Sequence, residues 1–278
     1  MKKNLKFILK NKLEKKEIEL LPSSFDVVGN ILIFSDFPRE LSKKEKIIGN
    51  QILKNFKHIK TVLKKTKKYS GKFRLPKLKI IAGERTKETI HKENDVSVKL
   101  DVEKVYFSSR LSNERKRINN LIKKNEKVLV MFSGCSVYPI NIAKNTEAKK
   151  IYGIEINPIA HKYALENLKL NKVENKIKLF LGDVKKIIPK INQKFDRILM
   201  PLPKGAEKYL DLPLSKIKKN GIVHFYDFAE ENNYKTIKDK VEKECKKQNK
   251  KYKILNIVKC GQFSPRVCRI CVDFKIIS

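Results

Sequence analysis

Long apolar runs are missing from this chain of 278 residues. No stretch approaches the roughly 18 consecutive apolar residues that a membrane helix requires, so a membrane partner is not expected. The basic start MKKNLKFILKNKLEKKE places Leu5, Ile8, Leu9 and Leu13 at helical spacing. It lacks the uninterrupted apolar stretch of a secretory leader, which implies an amphipathic helix in a cytoplasmic protein. Five cysteines, an odd number, argue against a disulfide framework. Cys268 and Cys271 form a C-x-x-C within VCRICVDF, with no second pair and no adjacent histidine, so core thiols are expected there and no metal. The first nucleotide-like turn carries a single glycine rather than G-x-G-x-x-G, which disfavours a dehydrogenase.

Acidic residues are also few. Lys+Arg 65 against Asp+Glu 30 leaves a formal net charge of +35. Nucleotide bias inflates lysine and isoleucine together, so part of that excess carries no information. The remainder points to a polyanion, because neutralising phosphates requires fixed cations. Residues 54–74 hold nine Lys/Arg and no acid, interleaved with Phe56, Tyr69 and Phe73. Such a run is often only a solvated face, but aromatics that can stack on bases make it a candidate RNA contact.

The pattern changes along the chain. Residues 1–20 read as helix, 24–37 as strands about a turn at Gly29-Asn30, and LSKKEKIIGNQILKNF as helix. Strands at 77–82 and 96–107 complete a small α/β domain over 1–107. A cationic helix at 108–124 opens a second domain, 108–278, in which strands at 127–132, 150–155, 177–181, 196–200 and 221–226 alternate with helices. That alternation implies a parallel, Rossmann-like sheet with right-handed crossovers. KYKILNIVKCGQFSPRVCRICVDFKI departs from it as two strands joined by a Gly/Ser/Pro turn, an antiparallel hairpin. A parallel sheet finished in this way has the outline of the class I methyltransferase fold.

Residues 126–183 read as one cofactor site. The apolar run KVLVMF ends near Gly134, where the missing Cβ lets backbone approach a small ligand. About 20 residues on, Glu155 closes a second strand and suits two ribose hydroxyls. Asp183, closing a third, suits an adenine amino group. Asn157 and Pro158 shape the turn behind Glu155, and His161 on the next helix is a surface or packing residue.

LLPSSFDVVGNILIF, GKFRLPKLKIIAGERTKETIHKEN, DVEKVYFSSRLSNERKRI, MFSG, EINPIAHKYALENLKLNKV, GDV and DRILMPLPKGAEKYL occur in this order. Together they resemble the archaeal and eukaryotic tRNA guanine-37 N1-methyltransferases over nearly the whole chain. The resemblance implies S-adenosyl-L-methionine as methyl donor, tRNA as substrate and a monomeric enzyme whose small first domain positions the catalytic one. Guanine N1 is a poor nucleophile until its proton leaves, and charge then builds on O6. The chemistry therefore needs a carboxylate at N1 and a cation at O6. By resemblance, Glu114 in LSNER is the base and Arg74 in GKFR the donor to O6. A carboxylate at a helix start is also a common capping partner, and Arg74 could instead touch phosphate. Arg115 and Arg117 would touch phosphate or pair with acids. Tyr106, Phe132, Gly134, Glu155 and Asp183 would lie by the cofactor. Pro201 and Pro203, ending the fourth strand, would stand where related enzymes cradle the target base.

The chain departs from the family at Val130, where an acid commonly ends the first strand, at Ser136 in place of a glycine, and at Pro201 in place of an asparagine. These mark one archaeal branch, some members of which also methylate carbon 7 of a wyosine precursor. The alternatives are transfer of the cofactor's 3-amino-3-carboxypropyl group in wyosine synthesis, and a non-catalytic tRNA-binding protein.

Overall fold

A computed structural model describes residues 5–202, 205–231, 233–264 and 266–278, without the side chains of Lys68 and Tyr69. Pro203 and the side chain of Tyr69, both singled out in the sequence, lie outside the described residues. The chain divides into two compact units, 1–92 with 97–109, and 93–96 with 110–278.

The first unit begins with α1 (Leu5–Leu9) and α2 (Lys15–Glu19), two short helices in place of the single one expected over 1–20. Glu14 caps α2 by reciprocal hydrogen bonds with Glu17, which starts a new helix instead of continuing the first. Next come β1 (Asp26–Val28), β2 (Ile31–Phe34), α3 (Glu45–Asn55), β3 (Thr61–Ser70) and β4 (Leu75–Gly83). They form one sheet in the order β1-β2-β3-β4. α3 is the crossover that lets β2 and β3 run parallel. Its buried Ile48 and Ile52 pack with Leu9, Leu32, Phe34 and Val62.

β5 (Glu88–Glu93) was not expected, and β6 (Val96–Asp101) is shorter than the strand foreseen over 96–107. The two pair through Asn94-Asp95, both at positive φ, as a tight two-residue hairpin turn demands. The strand ETIHKE has no apolar alternation of its own to announce it.

The second unit contains α4 (Ser112–Leu121), β7 (Lys127–Met131), α5 (Val137–Asn145), β8 (Lys150–Glu155), α6 (Pro158–Asn171), β9 (Ile177–Leu181) and α7 (Val184–Ile187). β10 (Phe195–Met200), α8 (Asp211–Lys216), β11 (Ile217–Glu230), α9 (Lys235–Lys247), β12 (Tyr252–Ser264) and β13 (Val267–Ile276) complete it. The sheet order is β12-β13-β11-β10-β7-β8-β9. The five strands from β11 to β9 are parallel, and β13 and β12 are antiparallel. This is the class I methyltransferase architecture expected from the alternation and the hairpin. β11 extends beyond the 221–226 foreseen because β13 pairs with it as far as Glu230. Val130 is wholly buried inside β7, and the strand ends at Met131.

Candidate active site

The turn after β7 is built from unusual backbone. Phe132, Gly134 and Ser136 all have positive φ, at 57°, 58° and 70°. Only Gly134 takes this conformation without steric cost. A bulky residue held there signals a geometry that the surroundings enforce, and such residues gather at functional sites. Phe132 is held by edge-to-face packing on Tyr209, with centroids 5.2 Å apart. Ser136 caps α5 in the left-handed conformation, which explains why a glycine would be usual at that position. The hydroxyls of Ser133 and Ser136 are buried without a hydrogen-bond partner among the described residues.

Glu155, at the end of β8, faces this turn. Its Oε2 accepts the Gly134 amide at 2.7 Å, and its Oε1 accepts the Asn157 amide at 2.7 Å. Burial pushes this carboxyl above its ordinary value, against the amides of Asn157, Gly134 and Ile156, which draw it down. Each carboxylate oxygen has a second lone pair, so Glu155 can still accept two hydroxyl donors. Asn157 caps α6 through Ile159 and Ala160, and Pro158 opens that helix. Asp183 caps α7, its Oδ1 accepting the Lys185 amide at 2.9 Å, which leaves Oδ2 to a ligand. These residues fit an adenosine-bearing cofactor: a strand-end carboxylate for a diol, a second acid for an amino group, and a turn with no Cβ at its apex.

A second cluster surrounds Glu114, which is 4% exposed on α4. Arg117 donates to it through Nε at 2.7 Å and Nη2 at 2.8 Å, and the Tyr226 hydroxyl donates at 2.7 Å. Arg117 also donates to Asp273 at 2.6 Å and 3.2 Å, across 156 residues of chain. Asp273 in turn accepts from His224 Nδ1 at 2.6 Å. Arg197 donates to His224 Nε2 at 2.7 Å, which fixes the neutral tautomer with its proton on Nδ1. Arg197 ends the chain on Glu126 at 2.8 Å and on the Leu121 carbonyl at 2.6 Å. The Tyr138 hydroxyl, from the second residue of α5, lies 3.5 Å from that of Tyr226 and so links the cluster to the Phe132–Ser136 turn.

Burial alone would lower Arg117 and raise Asp273. The hydrogen bonds that Arg117 donates to Glu114 and Asp273 instead raise it, and those that Asp273 accepts from His224 and Arg117 hold it well below the usual carboxylate range. Donor atoms of His224, Cys271 and Asp273 lie within 4.8 Å of one another, but two guanidiniums already occupy that face and oppose a cation. All five cysteines are free, and Cys268 and Cys271 are buried as core thiols.

Of the residues anticipated, Glu114, Phe132, Gly134, Glu155, Asp183 and Pro201 belong to the second unit, and Arg74 and Tyr106 to the first. Arg74 sits at positive φ in the β3–β4 turn, its amide bonded to the Gly71 carbonyl. Pro201 directly follows β10. Arg115 pairs with Glu93 in a buried bidentate contact, and Arg117 with two acids, so both serve acids within the domain. In the basic run, Lys64 is bound to Glu45 at 2.5 Å, and Phe56 packs on Phe25 and the core, which removes both from the candidate RNA face. Arg197, His224, Tyr226 and Asp273 were not among the residues expected here. The available signal was a charged or titratable side chain inside an apolar strand, as in DRILM, IVHFYDF and VCRICVDF.

A family profile described as the TRM5/TYW2 methyltransferase domain matches residues 89–255, and one described as the TYW2 N-terminal domain matches 5–86. The chain belongs to the TRM5/TYW2 methyltransferase family. Its TRM5/TYW2 relatives include the tRNA (guanine(37)-N(1))-methyltransferase Trm5b of Pyrococcus abyssi, 39% identical over 257 residues, 92% of this chain and 76% of that one. Taw22 of Nanoarchaeum equitans, a tRNA (guanine(37)-N(1))/4-demethylwyosine(37)-methyltransferase, is 37% identical, covering 78% of this chain and 87% of its own. Among solved TRM5/TYW2 structures, the complex of aTrm5 with tRNALeu superposes with a TM-score of 0.86 at 33% identity, over 99% of this chain and 79% of that one. Methanocaldococcus jannaschii Trm5 in complex with adenosine gives a TM-score of 0.82 at 33% identity, over 99% and 79% of the two chains.

Proposed function

We propose that this enzyme methylates N1 of guanosine 37 in tRNA, with Glu114 as general base. The observation that carries the reading is the buried Glu114 carboxylate, fixed by Arg117 and Tyr226 in the same domain as the Glu155–Gly134 turn. S-adenosyl-L-methionine supplies an electrophilic methyl group whose bond to sulfur breaks with its electron pair left on sulfur. Glu155 would hold the ribose hydroxyls, Asp183 the adenine edge, and Phe132 and Tyr106 the flanks. Glu114 accepts the N1 proton, freeing the pair on N1 to form the new bond, and Arg74 donates to the charge that builds on O6. The first unit, with its cationic β3 and the preceding residues, positions tRNA; Pro201 lies beside the base. The setting is the cytoplasm, with the enzyme acting as a monomer.

Two observations favour a wyosine activity on the same nucleotide: the TYW2-type match over 5–86, and the similarity to Taw22. Methyl transfer to carbon 7 of the wyosine precursor fits the same site, as does transfer of the aminocarboxypropyl group. One experiment separates these readings. Unmodified tRNA and tRNA carrying the precursor are each incubated with cofactor labelled on the methyl or on the carboxypropyl carbons, and the nucleosides are analysed by mass spectrometry. Methyl label on guanosine 37 of unmodified tRNA is expected; its absence, with folding verified, overturns the proposal.

A further inference from the structure

Arg117 has two carboxylates and one positive charge. If Glu114 were its only partner, a bidentate guanidinium would stabilise the carboxylate form and oppose proton uptake. Asp273 takes two of the guanidinium's hydrogen bonds from the other side. We propose that Asp273, seated by His224, is a positioning residue for Glu114: by sharing Arg117 it keeps the carboxylate aimed while leaving it able to accept a proton. This rests on Glu114 being the base.

The surroundings leave few other charges to do this. The titratable groups around Glu114 are Arg117 on its own helix, Tyr138 on α5, Tyr226 on β11, and Cys271 and Asp273 on β13, with Cys260 of β12 behind Cys271. Burial raises Tyr138, Tyr226 and Cys271, so all three stay neutral near neutral pH. Among the described residues of this cluster, Arg117 and Asp273 therefore supply the field that Glu114 feels. Arg115, placed over the Tyr138 ring, is balanced by its own buried pair with Glu93.

His224 completes the device. Burial keeps it neutral, and Arg197 on Nε2 keeps its proton on Nδ1, directed at Asp273. Asp273 thus has a fixed donor on one side and Arg117 on the other, with a thiol donor from Cys271 at 3.2 Å. Counted as Glu126, Arg197, Asp273, Arg117 and Glu114, the chain alternates in sign. It carries one net negative charge until Glu114 is protonated and none afterwards, so proton uptake discharges the buried network.

The test is the pH dependence of the single-turnover rate for the wild type, Asp273→Asn and Glu114→Gln, with cofactor and tRNA affinities and Tm measured alongside. Asparagine keeps one acceptor oxygen, which His224 and one Arg117 nitrogen can share as they share Oδ1, and removes the charge. Arg117 then acts on Glu114 alone and weakens it as a base. The acid limb should move down by about one pH unit and the plateau rate fall about three- to tenfold, with both affinities kept. A purely structural role would lower Tm and leave the limb in place. An unmoved limb in Asp273→Asn, with Glu114→Gln inactive, overturns this inference alone; an active Glu114→Gln overturns the base assignment and the inference with it. Should Asp273→Asn fail to fold, Arg117→Gln reads the same coupling from the other side. It should move the limb up by about one unit, and an unmoved limb there also overturns the inference.

Discussion

The Gly134 amide donates to the Glu155 carboxylate at 2.7 Å, joining the turn after the first strand of the catalytic sheet to the end of the second. One carboxylate thereby fixes the turn and keeps lone pairs to spare, which the proposed ribose contact would use. Glu155→Ala should weaken binding of S-adenosyl-L-methionine by roughly 10- to 100-fold, the range for losing hydrogen bonds to a charged acceptor. Calorimetry on the folded variant checks this, and an unaltered dissociation constant removes Glu155 from the ribose site.

Glu114→Gln preserves shape and the Tyr226 contact but cannot take a proton. Turnover should fall by about 10² to 10⁴, the usual contribution of a positioned base, while cofactor and tRNA affinity hold. Wild-type turnover in this variant would leave Glu114 as a structural partner of Arg117.

The fold was legible because its signals are repetitive. The alternation from β7 to β11 announced a parallel sheet and the Gly/Ser/Pro turn an antiparallel hairpin to finish it, and β8 and β9 occupy the residues expected of them. The place of Glu155 was legible too: an acid closing the second strand about 20 residues after a glycine turn was expected to lie beside that turn, and it accepts the Gly134 amide. Asp273, His224 and Arg197 were not. Sequence periodicity marks which face of a strand is buried, but pairing among buried charges depends on which strands become neighbours. His224 and Asp273 meet only because β13 turns back antiparallel beside β11. Phe132 was named for its place by the cofactor, yet its left-handed backbone has no signature in an aromatic side chain.

Arg197 is 1% exposed and joins Glu126, His224 and the Leu121 carbonyl. Arg197→Met would keep much of its volume but leave Glu126 and His224 without their partner. Removing one member of a buried pair costs about 3–5 kcal/mol, so urea unfolding should show a loss of that order. A change below about 1 kcal/mol would mean that water replaces the guanidinium.

His224 and Asp273 make stability depend on pH with the same sign. His224 is lowered, so the unfolded chain takes up a proton first as pH falls below about 6.5, and the folded state loses ground. Asp273 is also lowered: its contribution is present above about pH 3.9 and is lost as pH falls through the folded value. His224→Gln should flatten the stability profile just below neutrality while leaving the more acidic loss from Asp273. Equilibrium unfolding at a series of pH values would show this; an unchanged slope would mean that His224 titrates normally.

Lys57, Lys60, Lys67 and Lys72 are exposed on or beside β3, unlike Lys64. Changing all four to Gln should weaken tRNA binding and flatten the dependence of log affinity on log salt, by about one for each phosphate that is no longer neutralised. Filter binding at several salt concentrations decides it, and an unchanged slope would leave these lysines as solvated surface.

Arg117 reaches Asp273 across 156 residues. During synthesis the early parallel strands emerge and can pair long before the partner of that guanidinium leaves the ribosome. The buried pairing of Arg117 is therefore completed last, once the closing hairpin has docked on the sheet.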